Sequence, residues 1–229
     1  MVALAAAAAL FVLGGLVLAG ARASGSGPLT AEGPPDAAPG TLLGLEPYDR
    51  GIPTGARAWR MLYTSTDPAD DAPIRVSAVV VAPARPADGP RPVIAWAHGT
   101  TGVAYECAPS RAGQPLFGVP ALDTVLDEGW VIVVTDYPGL GTPGNHPYLV
   151  GESAARSVLD AVRAARDPRV PGELREEVVV WGHSQGGQAA LFAGQIAPAY
   201  APDVGLSGVA ALAPPTDLPA LVREVESSA

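Results

Sequence analysis

Histidine is scarce in this chain and stops early: there are three in 229 residues, at positions 98, 146 and 183, and none follows Ser184. Cysteine is scarcer still, with Cys107 standing alone. These few imidazoles and one thiol lack the spacing of a metal-ligand set, and neither a metal nor an organic cofactor is expected. A lone cysteine also excludes an intrachain disulfide, leaving a free thiol or a partner elsewhere. Basic residues form no cluster, and acidic residues outnumber them 23 to 14 for a formal charge of −9, which disfavours nucleic acid and other polyanions as partners. Internal repeats are missing too, which excludes a solenoid or a propeller.

What the chain has is apolar side chains, 48% of residues against 16% charged, enough for a substantial core in one domain with extensions. Its 27 glycines and 25 prolines fall mostly between apolar runs, where they punctuate turns. Residues 1–20 are apolar without interruption, and Ala21-Arg22-Ala23 ahead of Ser24 fits the small-x-small rule for cleavage, so residues 1–23 read as an export signal. The same stretch is long enough to span a bilayer and has no basic residue before it, which keeps an uncleaved anchor, with membrane association through residues 1–21, as the alternative. Either way the expected location is outside the cytoplasm. Residues 24–40, rich in Gly, Pro and Ala, read as a flexible leader, and residues 41–229 as the folded domain.

The alternating stretch 58–66 and the apolar stretch 76–81, divided by the turn-forming 67–73, predict an antiparallel pair. Short, almost continuous apolar runs follow at 93–97, 131–134, 178–181 and 209–212, the composition of buried parallel strands. Between them, 119–128 places Leu122, Val125 and Leu126 on one helical face, and 152–166 does the same with Ala155, Val158, Leu159 and Val162. Asp167-Pro168 stops the second of these helices. Strand and helix alternating at this spacing predict an α/β fold, a mostly parallel sheet with flanking helices and right-handed crossovers. A short final helix is expected after Thr216-Asp217, and the 209–212 strand is expected to remain an unpaired apolar edge that favours association.

Gly182-His183-Ser184-Gln185-Gly186 lies between the apolar run 178–181 and the helical stretch 187–192. Its glycines permit a sharp turn that lifts a serine out at the C-terminal end of a strand, where the amides of the next helix face developing negative charge. Ser184 is the expected nucleophile, against the blander reading of a solvated serine in a strand-to-helix turn. His98-Gly99-Thr100-Thr101-Gly102 follows the 93–97 strand, where a loop can donate a second hydrogen bond to an oxyanion. The backbone amides of Thr100 or Thr101, with that of Gln185, are the expected donors, against an ordinary glycine turn.

Ala97-His98-Gly99-Thr100-Thr101-Gly102, Glu106-Cys107-Ala108-Pro109-Ser110, the stretch 135–144, His146-Pro147-Tyr148-Leu149-Val150-Gly151, the stretch 182–187 and Tyr200-Ala201-Pro202 together resemble the secretory lipase family of α/β hydrolases, the lipase A type. The resemblance runs from about Thr41 to the C-terminus. It implies an exported serine esterase or lipase acting on acyl esters, with a cap inserted after the strand that ends near Leu212. It also implies an acid and then a histidine after the serine. With no histidine there, the chain is expected to be a fragment truncated before the last strands and cap, and weakly active.

The histidines that are present get other roles. His146, in a Pro/Gly-rich loop, is a minor alternative as base; His98 is expected to bond locally and shape its loop, and His183 to pack beneath the turn. Asp136 is expected to fix the Gly139–Gly144 loop. Asp203, Asp217, Glu224 and Glu226 follow the serine, yet an acid without a histidine to orient activates nothing. An acyltransferase or peptidase on the same scaffold, and a non-catalytic binding protein on a degenerate one, are the rival readings.

Overall fold

The computed structural model describes residues 29–228 except Pro35. The expected export signal therefore lies outside the described residues. Seven strands form one sheet: β1 (Leu42–Tyr48), β2 (Ala56–Thr66), β3 (Pro73–Pro83), β4 (Arg91–Ala97), β5 (Val131–Thr135), β6 (Leu174–His183) and β7 (Leu206–Leu212), in the order β1-β2-β3-β5-β4-β6-β7. β1, β2, β3 and β5 pair antiparallel in succession, whereas β5, β4, β6 and β7 are parallel. The helices are α1 (Pro109–Ala112), α2 (Leu122–Asp127), α3 (Gly151–Ala165), α4 (Gln185–Tyr200) and α5 (Leu218–Ser228).

The central strands are apolar throughout because both faces are covered. Along β4, Val93, Ala95 and Ala97 face a core completed by α3 and α4, while Ile94 and Trp96 face a second core with Leu116, Val119, Val125 and Leu126. Alanines 189, 190, 193 and 197 are buried along α4, and such small side chains let a helix lie close to the sheet.

Several elements depart from expectation for identifiable reasons. β1 carries no clear strand signal because Gly44, Glu46 and Pro47 interrupt its apolar pattern; it is an edge strand, where a proline is tolerated. Pro120 and the left-handed Ala121 (φ 48°) confine the helix expected at 119–128 to α2. Residues 38–40, at the end of the expected flexible leader, are tied to β2: the Gly40 amide donates to the Thr64 carbonyl at 2.7 Å and the Thr64 hydroxyl donates to the Ala38 carbonyl at 2.5 Å. The 209–212 run, expected to be buried, belongs to a strand whose burial alternates, with Val209 and Leu212 about two-fifths exposed (39% and 40%). It lies at the sheet's edge, and β6 is its neighbour there.

Candidate active site

β6 ends where α4 begins, and the junction is a single residue, Ser184, at φ 54° and ψ −120°. A non-glycine residue held at such angles stores strain that surrounding contacts must maintain. Those contacts are tight. A Cβ at Gly182 would collide with the Gly186 carbonyl, and one at Gly186 with the Ala97 carbonyl, so both flanking glycines are required by close approach. The Ser184 amide donates to the Leu212 carbonyl at the end of β7, at 2.9 Å. Among the described residues the Ser184 hydroxyl has no hydrogen-bond partner.

A cavity of about 210 Å³ opens at the C-terminal ends of β4 and β6, lined by Trp96, Thr100, Thr101, Phe117, His183 and Ser184. The structure thus brings the expected nucleophile and the expected oxyanion loop to one space, at the end of a parallel sheet where ligands bind. A larger cleft of about 940 Å³, at the opposite ends of the strands near Pro90, Leu174 and Gly205, contains none of these residues.

Gln185 is buried, and its side chain reaches His146 rather than the cavity. The His146 Nδ1–H donates to the Pro138 carbonyl at 2.9 Å, which leaves Nε2 as an acceptor, and the Gln185 amide donates to it at 3.0 Å. Burial lowers the His146 pKa below its ordinary value, favouring the neutral ring. Both nitrogens are occupied, so His146 is not placed to receive the Ser184 proton. His98, 3% exposed, has Nδ1 at 2.6 Å from the Gly99 carbonyl and lies against Tyr137 with ring centres 4.2 Å apart. Its burial depresses the pKa to about 4, so it too is neutral at pH 7, and it shapes its loop as expected.

Two expectations are corrected. His183 does not pack beneath the turn but is exposed at the cavity, because backbone fills the space under the elbow where Gly182 and Gly186 lack side chains. Asp136 does not fix the Gly139–Gly144 loop: it is buried and accepts from the Ser77 hydroxyl (2.6 Å), the Ser110 hydroxyl (2.6 Å) and the Ser110 amide (2.9 Å), joining β3 to α1. Burial pushes its pKa up to about 6 despite these donors. The loop is held instead by the Gly141 amide, which donates to the Tyr105 carbonyl at 2.9 Å, and by His146.

Two of the acids after the serine are engaged elsewhere. Asp203 pairs with Arg163, and Asp217 caps α5 by accepting from the Ala220 amide at 2.9 Å. Among the described residues no group of three or more His, Cys, Asp or Glu side chains could hold a metal ion, Cys107 is a free thiol, and no helix is long and apolar enough to cross a membrane. Sequence reasoning overlooked Tyr137 and Tyr148. The Tyr137 hydroxyl donates to the His98 carbonyl at 2.9 Å, and the Tyr148 hydroxyl lies 3.0 Å from Thr100 Oγ1.

A serine on a strained strand-to-helix turn, beside a loop from the neighbouring strand, is the arrangement of an α/β hydrolase. The family model for secretory lipases matches residues 119–229. That match takes in just under half of the chain, and the relatives and solved structures similar to it are lipases and esterases. Among the relatives, the probable inactive lipase MT1628 of Mycobacterium tuberculosis is 29% identical over 197 residues, covering 80% of this chain and 43% of that protein. Lipase A of Moesziomyces aphidis is 26% identical over 174 residues, covering 71% of this chain and 36% of its own. The crystal structure of the rice cell wall degrading esterase LipA from Xanthomonas oryzae matches with a TM-score of 0.63 at 28% identity, over 78% of this chain and 51% of its own. The chain therefore spans less than half the length of the two curated relatives.

Proposed function

We propose that this chain carries the nucleophile of an exported carboxylic-ester hydrolase that works through an acyl-enzyme on Ser184. The observation that carries the reading is the strained Ser184 itself, unpartnered at its hydroxyl and open to the cavity it shares with Thr100 and Thr101. In the first step Ser184 Oγ attacks the ester carbonyl carbon, and the carbonyl oxygen becomes an oxyanion held by the backbone amides of Gln185 and of Thr100 or Thr101. The carbon–oxygen bond to the alcohol then breaks, and the serine proton leaves with the alcohol or passes to solvent. Water attacks the acyl carbon in the second step, releasing the acid and restoring the serine.

The three histidines of the chain do not supply a base: two are occupied by other partners and His183 adjoins the serine in sequence. Both steps are accordingly slow in this chain by itself; with a leaving group such as p-nitrophenolate, which departs without a proton, hydrolysis is the slower of the two and the acyl-enzyme should accumulate. The secretory family supports a location outside the cytoplasm, by secretion or on a membrane anchor, and lipid esters as the substrate class. An acyltransferase or peptidase would share the first step and differ in the acceptor or leaving group.

Peptide mass spectrometry after incubation with p-nitrophenyl butyrate tests the reading. A butyryl group on Ser184, missing in Ser184→Ala, is expected. A second reading, a non-catalytic binding protein, is favoured by one finding, that the Mycobacterium relative is described as a probable inactive lipase. Ester that survives without any label on Ser184 would decide for it.

A further inference from the structure

The connection between β5 and α3 sends three side chains to the expected oxyanion loop and the start of α4, one bonding backbone and two bonding side chains. Tyr137, buried and held at φ 66°, donates its hydroxyl to the His98 carbonyl at 2.9 Å, just before the Gly99–Gly102 turn. Tyr148 places its hydroxyl 3.0 Å from Thr100 Oγ1. His146 accepts from the Gln185 side chain at 3.0 Å while donating to Pro138 at 2.9 Å. The rings are neighbours: Tyr137 and His146 stack with centres 6.1 Å apart, and His146 and Tyr148 lie at the same separation. Thr100 and Gln185 lie on different elements, and the two bonds tie both of them to one loop.

We propose that this loop is a brace that fixes the two oxyanion donors relative to each other, with His146 and Tyr148 as positioning residues. The inference rests on the Ser184 reading above, because a brace on the donors matters only if an oxyanion forms between them. Its physical basis is that oxyanion stabilisation depends on donors being in place before charge develops, and displacements of an ångström weaken it steeply. Neither side chain touches the reacting atoms. Protonating His146 does not by itself break the link, since the Gln185 amide can turn to present its oxygen to the new N–H. The brace is a matter of geometry and not of charge.

The rate of Ser184 butyrylation by p-nitrophenyl butyrate, measured by mass spectrometry on the full chain at increasing ester concentration, reads the brace. Tyr148→Phe keeps the half-exposed ring and removes the hydroxyl, while Thr100→Val removes the other half of the same bond and retains the backbone amide. Each should lower the saturating acylation rate about 10-fold, less than the ~10²- to 10³-fold typical of losing a donor outright, with the half-saturating concentration unchanged. The double variant should lose no more than either alone. His146→Leu and Gln185→Met should form a second pair with the same behaviour, urea unfolding confirming that each variant is folded at the assay temperature. Native rates in any single variant, or losses that multiply in a double variant, would overturn the role of the residue concerned. Absence of any label on Ser184 in the native chain would instead overturn the nucleophile reading, and the brace with it.

Discussion

At the scale of single residues, Asp136 offers a pH-dependent signature. Burial raises its folded pKa to about 6, above the 3.8 of a free carboxyl, so the folded state holds the proton more tightly than the unfolded one. The corresponding stability is fully present below pH ~4 and is lost as pH rises through about 6, where a buried carboxylate must form. Asp136→Asn should therefore gain on the native protein by up to about 3 kcal/mol between pH 4 and 7 in urea unfolding. A constant difference across that range would show that Asp136 ionises without penalty. Ser184 and its flanking glycines were legible in the sequence because the turn's steric demands act on adjacent residues. The exposure of His183 and the partners of Asp136 were not, since Ser77 and Ser110 lie 59 and 26 residues away in the chain. Gln185 and His146, separated by 39 residues, meet only through the sheet's topology.

Between elements, the main polar fastener is Asp160 on α3. It is fully buried and accepts from Ser65 on β2 (2.7 Å), from the Tyr200 hydroxyl at the end of α4 (2.7 Å) and from Arg163 (2.9 Å). Arg163 in turn donates to the Tyr200 carbonyl at 3.0 Å and pairs with Asp203. Asp160→Ala leaves the Ser65 hydroxyl and part of a guanidinium without acceptors, turns the Tyr200 hydroxyl to Thr66 alone, and should cost about 3 kcal/mol, read as a fall in the urea midpoint. A loss below about 0.5 kcal/mol would mean that solvent replaces the carboxylate freely. The apolar periodicity of α3 and the runs at β3 to β6 reveal these elements without the structure, because two covered faces demand apolar residues at every position. β1 and α2 are shorter or interrupted, and their boundaries follow from prolines and a left-handed residue acting with tertiary contacts.

Across the whole molecule, the sheet is uneven. Its β1 edge buries Leu42, Leu43 and Tyr48 and is interrupted by Gly44 and Pro47, while β7 presents Val209 and Leu212 about two-fifths exposed (39% and 40%). An edge strand with apolar side chains invites pairing with another strand, so size-exclusion chromatography should show association that grows with protein concentration. A concentration-independent monomer would show that the edge is protected. The C-terminal ends of β4 and β6, by contrast, gather the proposed nucleophile, the proposed oxyanion loop and a cavity, while His98 and His146 are bonded to other groups. That combination is measured most directly by steady-state hydrolysis of p-nitrophenyl butyrate, comparing the native chain with Ser184→Ala. The expected result is turnover far below the ~1 to 10³ per second of ordinary enzymes, with at most the residual ~10³- to 10⁴-fold advantage over water that survives loss of a triad member. Turnover within the ordinary enzymatic range, abolished by Ser184→Ala, would contradict it and require a base among His98, His146 and His183.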